Sequence, residues 1–101
     1  MDVNDFEALI TKDEVQLVDV RTGVEYSEGH IAGAININVM DDSFRTLSDS
    51  LLAKDTPVAV YCRSGKRSKA AADILSKKGF KVYELAKGFN SWQETGKEIV
   101  K

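Results

Sequence analysis

The sequence has a single cysteine, a single histidine and a single proline among its 101 residues. One cysteine cannot form a disulfide within the chain, and with one histidine it falls short of the ligands of a zinc site, so we expect no metal. No apolar run approaches the roughly 20 residues that span a bilayer, so we expect no membrane segment. The acidic residues 1–5 lack the basic and apolar parts of a secretory signal, which predicts a cytoplasmic protein.

Length and composition predict one globular domain over residues 1–101. Hydrophobic residues make up 43% of the chain and charged residues 30%, a balance that argues against a disordered protein. A chain of this length buries roughly two thirds of its unfolded surface, which suffices for one core. The sequence has no internal repeat, low-complexity stretch or linker, and no long apolar stripe is left over for a second copy. We therefore expect a monomer.

The net charge of −2 is unevenly distributed along the chain. Residues 1–50 carry 11 acidic and 3 basic side chains, whereas residues 51–101 carry 5 acidic and 11 basic ones. The basic half consists mostly of scattered lysines without an array of aromatic residues among them, which argues against a nucleic-acid partner. A small anionic substrate, or an acidic patch on a protein partner, fits this charge better.

Helical and strand-like patterns of apolar residues alternate along the chain. Such alternation predicts an α/β fold in three layers, with a central, mainly parallel sheet and helices on both faces. We expect Asn4 to cap the first helix, with Glu7 completing a capping box, and Gly79 to end the longest helix. Helices or helical turns are predicted over residues 4–10 (or 3–10), 23–28, 44–52, 68–78 and 89–95, and strands over residues 15–20, 34–37, 57–61 and 81–85.

The only cysteine opens a basic turn between a predicted strand and the longest predicted helix. Residues 62–68 read Cys-Arg-Ser-Gly-Lys-Arg-Ser and directly follow the apolar run 57–61. Cations, a helix N-terminus and successive loop amides, eased by Gly65, all stabilise an anion at this place. Because the thiolate is the reactive form of cysteine, the pattern predicts a reactive Cys62 at the ligand-binding edge of the sheet. Ser68 either caps the helix or contacts the ligand.

Two other interpretations of the loop explain less of its pattern. A buried, inert cysteine in a solvated turn would leave the loop cations crowded together, which is costly unless an anion binds. A cysteine phosphatase would use the same thiolate, but its loop has one more residue between the cysteine and the arginine. Here the four residues 63–66 separate Cys62 from Arg67. This tighter ring suits the terminal sulfur of a persulfide better than a phosphoryl group.

Four motifs, taken in order along the chain, resemble those of the rhodanese-like sulfurtransferases, specifically of the small single-domain type. The resemblance covers nearly the whole sequence. Residues 17–21 resemble the Asp-Val-Arg strand end, residues 25–26 and 29–36 the second signature, residues 60–68 the active-site loop and residues 88–92 the C-terminal glycine and tryptophan element. Lys87 departs from the family, which usually has a glycine there. The lysine would cost about 1 kcal/mol if this position needed a positive φ.

The resemblance implies a rhodanese-like fold and thiosulfate sulfurtransferase activity. The Cys62 thiolate would take the outer sulfur of a small anionic donor such as thiosulfate, and a thiol, a protein or cyanide would then accept that sulfur from the persulfide. No metal or organic cofactor is needed. Arg63 and Lys66 are expected to contact the donor, whereas Arg67 either contacts it or pins the loop to the fold. The residues implied to bind substrate are Arg63, Ser64, Gly65, Lys66, Arg67 and Ser68.

Residues outside the loop are interpreted as structural support. Asp19 and Arg21 lie at a strand end from which they could reach the active-site loop. The resemblance implies instead that they stabilise the fold, with Arg21 paired to a nearby acid such as Glu25. His30 is the only histidine, and the resemblance implies that it fixes a turn instead of acting as a general base. Phe89 is expected either in the core or at the entrance of the site.

Other classes of protein share parts of this pattern. A phosphatase or arsenate reductase would use the same thiolate, although the loop spacing argues against it. A rhodanese module used only for binding or regulation often lacks the cysteine, and this chain keeps Cys62. A thiol-redox carrier would need a second thiol from a partner, because the chain has no resolving cysteine.

Overall fold

Four parallel strands form the central sheet of the computed structural model, which describes residues 1–101. The strands lie in the spatial order β2-β1-β3-β4, and every neighbouring pair is parallel. The carboxyl ends of all four strands therefore lie at the same edge of the sheet. The strands are β1 (Gln16–Asp19), β2 (Ile35–Asn36), β3 (Val58–Tyr61) and β4 (Val82–Glu84).

Helices connect the strands and cover both faces of the sheet. A parallel pair needs such a crossover because the chain must return to the other end of the sheet before the next strand begins. None of the helices is long and apolar enough to cross a membrane. The helices are α1 (Val3–Thr11), α2 (Gly23–Glu28), α3 (Phe44–Leu51), α4 (Lys66–Lys77) and α5 (Gly88–Glu94).

The central strand β3 is buried on both faces, and its side chains alternate between two hydrophobic clusters. Val60 packs in a cluster with side chains of α3 and α4. Tyr61 packs in a second cluster with side chains of α1 and α5. These two clusters are the interfaces between three layers, which confirms the predicted α/β fold. Cys62, the residue after β3, packs in the cluster that contains α3 and α4.

The observed elements differ from the predicted ones mainly at their ends. Each strand is one residue shorter than predicted at one or both ends, so that β4 covers residues 82–84 instead of 81–85. The apolar pattern continues past the last ladder hydrogen bond, and a sequence pattern does not show where pairing stops. The short helix α2 occupies residues 23–28, as predicted.

The predicted cap of the first helix is wrong. Asp2 caps α1 in place of Asn4, and its side chain accepts a hydrogen bond of 2.8 Å from the backbone N–H of Asp5. The helix begins at Val3, the earlier of the two predicted starts, and Val3 is buried. With Asn4 inside the helix, the proposed capping box with Glu7 does not form.

Of the two roles considered for Ser68, that of cap of the longest helix is not observed. The helix α4 begins at Lys66, and Gly65 occupies the N-cap position with a φ of 99°. Only glycine adopts this left-handed conformation easily. Ser68 lies in the first turn, is fully buried, and donates a hydrogen bond of 3.1 Å from its hydroxyl to the carbonyl oxygen of Gly65.

Candidate active site

The sulfur of Cys62 lies in a cradle of backbone amides. Cys62 follows β3 directly and only 1% of its surface is exposed. The N–H of Gly65 lies 3.1 Å from Sγ and the N–H of Ser68 lies 3.3 Å from it, and both donate to the sulfur. The turn from strand to helix thus directs N–H groups at one atom. Such a nest stabilises an anion, in this case a thiolate.

Burial and hydrogen bonding act in opposite directions on the thiol of Cys62. Burial alone raises the pKa of a thiol, because the charged form loses water. The hydroxyl and the N–H of Ser68, together with the N–H groups of Gly65 and Ser64, outweigh burial and hold the pKa of Cys62 below its ordinary value. The Ser68 hydroxyl has one proton, which either the Gly65 carbonyl oxygen or the thiolate can accept.

Two glycines allow the loop to pack against the segment that leads into α5. A side chain at Gly65 would overlap the carbonyl oxygen of Ala86, and a side chain at Gly88 would overlap the carbonyl oxygens of Cys62 and Arg63. Both glycines also have positive φ values, 99° and 68°. No other residue type meets both requirements. The two glycines therefore determine how closely the loop of Cys62 packs against the segment that leads into α5.

The lysine that departs from the family pattern is not strained. Lys87 has a φ of −105°, and the left-handed residue of this turn is Gly88. The cost considered for a lysine at a positive φ therefore does not arise. Lys87 is exposed, next to the closely packed glycine.

The first turn of α5 anchors the carbonyl groups of the loop. Phe89 donates its N–H to the carbonyl oxygen of Cys62 at 2.8 Å, and Asn90 donates its N–H to the carbonyl oxygen of Arg63 at 3.0 Å. A peptide group directs its oxygen and its N–H in opposite directions. With the oxygens held by α5, the loop amides remain available to the sulfur.

Glu25 of α2 binds two arginines of the loop. Arg67 donates from Nη1 to Oε1 at 2.7 Å and from Nη2 to Oε2 at 3.0 Å, and Nε of Arg63 lies 3.4 Å from Oε2. Thr22 donates its N–H and its hydroxyl to Oε1, each at 3.1 Å, within the capping box of α2. The hydrogen bonds from Arg67, aided by those from Thr22, outweigh burial and lower the pKa of Glu25 to about 2.

Arg21 pairs with a nearby acid, as the resemblance implied, although not with the acid given as the example. Arg21 pairs with Asp19 at 2.6 Å, not with Glu25, because the two side chains leave the end of β1 on the same side and are buried together. Arg21 also donates to the carbonyl oxygen of Gly29 at 2.7 Å, and its guanidinium carbon lies 4.3 Å from the centre of the Phe89 ring. Hydrogen bonding and attraction to Asp19 raise the pKa of Arg21 against the effect of burial.

His30 fixes a turn between α2 and β2. Its Nδ1 lies 2.8 Å from the carbonyl oxygen of Tyr26, and the two rings stack with their centres 3.7 Å apart. Its backbone pairs with Val100 in a short antiparallel bridge. The side chain and the backbone of His30 both form contacts that stabilise the turn, as the resemblance implied.

The predicted site residues fall into three groups in the structure. Cys62, Gly65 and Ser68 meet at the sulfur, and Arg67 is held by Glu25. The exposed residues of the loop are Arg63, Ser64 and Lys66.

A cavity of about 150 Å³ lies beside the loop, between α2 and α5. Sequence reasoning did not identify it, because its lining residues come from four separate segments of the chain that only the fold brings together. Phe89 belongs to both the core and the cavity wall, so both expectations for it hold. The lining residues are Arg21, Glu25, Glu28, Gly29, Arg63, Phe89, Asn90 and Gln93.

Comparison with known proteins assigns the chain to a family. The sequence profile of the rhodanese-like domain matches residues 2–95. A thiosulfate sulfurtransferase GlpE from Shewanella oneidensis is 35% identical over 95 residues, which cover 93% of this chain and 91% of the relative. A protein of the same name from Coxiella burnetii is 36% identical over 87 residues, 84% of this chain and 78% of the relative.

Solved structures show the same fold. The crystal structure of a rhodanese-related protein from Thermoplasma volcanium superposes with a TM-score of 0.86 at 32% identity, over 99% of this chain and 95% of the other. The helices and strands that place Cys62, Glu25 and Arg21 thus belong to a fold shared along the whole chain.

Proposed function

This chain belongs to the rhodanese-like domain family, and we propose that it is a sulfurtransferase that works through a persulfide on Cys62. The donor is a small anion with a transferable sulfur, such as thiosulfate, and the acceptor is a thiol or cyanide. The observation that carries the proposal is the pair of N–H groups 3.1 and 3.3 Å from a thiol whose pKa is lowered. The relatives named thiosulfate sulfurtransferase support the same reaction class.

In the first half-reaction the Cys62 thiolate attacks the outer sulfur of thiosulfate. A bond forms between the two sulfurs, the bond from the outer sulfur to sulfite breaks, and its electron pair leaves with sulfite. The charge stays balanced, since a thiolate and a dianion become a persulfide anion and a sulfite dianion. The exposed Arg63 and Lys66 attract the anionic donor, and the amides of the loop hold the persulfide.

In the second half-reaction a nucleophilic acceptor attacks the outer sulfur of the persulfide. The new bond joins this sulfur to the acceptor, and the electron pair of the broken S–S bond returns to Cys62. The same amides that stabilised the free thiolate then stabilise the leaving group. The reaction needs no metal or organic cofactor, because the sulfur of Cys62 itself carries the transferred sulfur atom and takes up the negative charge when it leaves.

The geometry favours transferase chemistry over the related phosphatase chemistry. A phosphatase loop must surround a tetrahedral phosphoryl group. Here the N–H groups of Gly65 and Ser68 lie directly against Sγ, so the loop is narrow around the sulfur. A module used only for binding has no need of a thiol with a lowered pKa. The retained Cys62 and its hydrogen bonds therefore support catalysis.

We extend the proposal to a monomer in the cytoplasm. A free, reactive thiol needs a reducing compartment to remain reduced. The exposed large apolar side chains, such as Val24, Met40 and Leu51, lie on different elements of the surface. Cell fractionation and the mass of the native protein in solution test these two points.

Steady-state assay of thiocyanate formation from thiosulfate and cyanide tests the proposal. Double-reciprocal plots at several cyanide concentrations should give parallel lines, because the two substrates react in separate steps. Cys62→Ala should abolish the activity. Intersecting lines, or activity that survives in Cys62→Ala, would contradict a persulfide on this residue, and hydrolysis of an aryl phosphate would favour the phosphatase.

A further inference from the structure

The cavity between α2 and α5 is lined by the guanidinium group of Arg21, whose hydrogen-bond donors are only partly bound within the protein. Only 3% of Arg21 is exposed, and its Nε and Nη2 atoms bind Asp19 and the carbonyl oxygen of Gly29. Its Nη1 has no hydrogen-bond partner. Every polar side-chain atom that is fully buried in the protein has such a partner, so Nη1 is not fully buried. Nη1 therefore has contact with solvent, and Arg21 lines this cavity. A buried guanidinium thus offers a free N–H group to a ligand.

A second guanidinium lines the same cavity and is free to move. Arg63 is 61% exposed, and its single charged contact is at 3.4 Å to Glu25. Glu25 already has both oxygens bound by Arg67 at 2.7 and 3.0 Å. Arg63 therefore loses little by leaving Glu25 for a bound anion. Two guanidinium groups that converge on one cavity are typical of carboxylate recognition.

The remaining free groups of the cavity are suited to a cation and to polar atoms of a ligand. The carboxylate of Glu28 has no ion-pair or hydrogen-bond partner, although Glu28 lines the cavity. The side-chain amides of Asn90 and Gln93 also line it and form no hydrogen bond within the protein. A carboxylate for an ammonium group thus lies in the same cavity as guanidinium groups for a carboxylate. The combination matches a zwitterion better than an anion alone.

We propose that this cavity binds the α-amino acid group of a low-molecular-mass thiol, which is the acceptor of the sulfur. The inference rests on the proposed sulfurtransferase function and adds the class of acceptor. The ligand's carboxylate binds Arg21 and Arg63, and its ammonium group binds Glu28. At about 150 Å³ the cavity is well below the roughly 300–1,000 Å³ of sites for drug-sized ligands, so it holds one amino acid group and not a larger molecule.

The cavity borders the loop that holds the reacting sulfur, because its lining residue Arg63 directly follows Cys62. Arg63 follows Cys62 in the chain, so their Cα atoms are about 3.8 Å apart. A persulfide extends the reactive atom by about 2 Å beyond Sγ. An acceptor held beside Arg63 then attacks the outer sulfur with its thiolate, forming its own persulfide while the electron pair of the broken bond returns to Cys62. Free cysteine and a γ-glutamyl peptide thiol such as glutathione carry the same amino acid group.

Binding can be measured without any transfer of sulfur. ¹⁵N-labelled Cys62→Ser protein is titrated with S-methylcysteine, with S-methylglutathione, and with two compounds that each lack one charge, 3-(methylthio)propionate and 2-(methylthio)ethylamine. We expect saturable shifts of the backbone amides of Gly29, Arg63 and Asn90 with one or both zwitterions, and much weaker shifts with the other two. Equal shifts with the carboxylate-only compound, or none with either zwitterion, would overturn the proposal.

The variant Glu28→Gln tests the ammonium contact, with Glu94→Gln as its matched control. Glu94 is an exposed glutamate of α5 that does not line the cavity. Glu28→Gln should weaken binding of the zwitterion by about five-fold, the effect of losing one partly exposed ion pair, and Glu94→Gln should not change it. Equal effects of both variants would contradict the assignment. The binding result stands apart from the sulfurtransferase assay, so the two proposals can fail separately.

Transfer kinetics identify which thiol uses the cavity. The loaded protein is mixed with cysteine, with glutathione, with cysteamine or with 3-mercaptopropionate at a pH adjusted for equal thiolate concentration. The favoured zwitterion should react with a lower KM than its two partial analogues, and Glu28→Gln should raise that KM, whereas Glu94→Gln should leave it unchanged. Equal KM values for the thiols with and without the two charges would overturn the proposal.

Discussion

Glu25 and Arg67 form a two-point ion pair, at 2.7 and 3.0 Å, between α2 and the far end of the loop that begins at Cys62. Thr22 fixes Glu25 from the other side through the capping box of α2. The loop is thereby held at both ends, by β3 at Cys62 and by α2 at Arg67. Together with the contacts of α5, this carboxylate holds the loop whose amides bind the sulfur, although it does not touch the sulfur itself.

Replacing Glu25 with glutamine should loosen the loop. The neutral side chain keeps the size of glutamate but loses the charge that binds two arginines, so we expect a loss of about 1 kcal/mol in the free energy of unfolding. Thiocyanate formation should fall by about ten-fold, because the loop amides no longer converge on the persulfide. Urea unfolding and the steady-state assay measure the two effects. Asp73→Asn is the control, since Asp73 forms an exposed pair with Lys77 far from the sulfur.

The same carboxylate makes stability depend on pH. The ion pair lowers the pKa of Glu25 from 4.5 to about 2, so its contribution is complete above pH 4.5 and is lost as the pH falls towards 2. The wild-type protein should therefore be more stable than Glu25→Gln at pH 6, and the difference should vanish between pH 4.5 and 2. Urea unfolding of both proteins across this range measures it. A difference that stays constant down to pH 2 would contradict the assigned pair.

Replacing Ser68 with alanine should make the thiol less acidic. The variant removes a hydroxyl donor and keeps the backbone N–H that lies 3.3 Å from Sγ. The pKa of Cys62, which hydrogen bonds hold below its ordinary value of 9.0 against the effect of burial, should rise. The rate of alkylation by iodoacetamide as a function of pH reports this pKa directly. Ser64→Ala serves as a control, because it changes an exposed side chain of the same loop and keeps its N–H.

Replacing Gly88 with alanine should destabilise the protein strongly. A Cβ there would overlap the carbonyl oxygens of Cys62 and Arg63, and the residue has a φ of 68°. Gly96→Ala is a matched control, since Gly96 has a φ of 79° but no atom near its Cβ position. The control should lose about 1–2 kcal/mol from backbone strain alone, and Gly88→Ala should lose clearly more in urea unfolding. Equal losses would show that the loop does not pack against Gly88.

Restoring the glycine that the family usually has at position 87 should not stabilise the protein. Lys87 has a negative φ, so lysine is unstrained, and a glycine would only increase the freedom of the unfolded chain. We expect Lys87→Gly to lose about 0.5–1 kcal/mol in the free energy of unfolding. A gain in stability would mean that the lysine is strained after all.

The sequence predicted those features of the fold and of the site that depend on residues close together in the chain. The alternation of strands and helices identified the three-layer fold, and the strand ahead of Cys62 placed the cysteine at the carboxyl edge of the sheet. Cys62, Gly65 and Ser68 meet at the sulfur because their spacing fits one turn from strand to helix. These features follow from residues near one another in the chain.

The sequence could not predict what depends on contacts between distant residues. Arg67 is 42 residues from Glu25, and nothing in the sequence pattern marks the two as partners. The choice of Asp19 over Glu25 as the partner of Arg21 depends on how the side chains pack beyond β1, which the pattern does not show either. The cap at Asp2 was missed because several polar residues near the first helix satisfy the same rule. The cavity was missed because Glu28 and Asn90 come together only when α2 and α5 pack on the same side of the sheet.

Intact mass spectrometry after incubation with thiosulfate tests the central claim most directly. The protein should gain about 32 Da, the mass of one sulfur atom, and cyanide should remove this mass with release of thiocyanate. Cys62→Ala should gain nothing. A protein that gains no sulfur although its Cys62 is alkylated rapidly at neutral pH would contradict thiosulfate as the donor. Sulfur that is gained equally by Cys62→Ala would contradict the persulfide on Cys62.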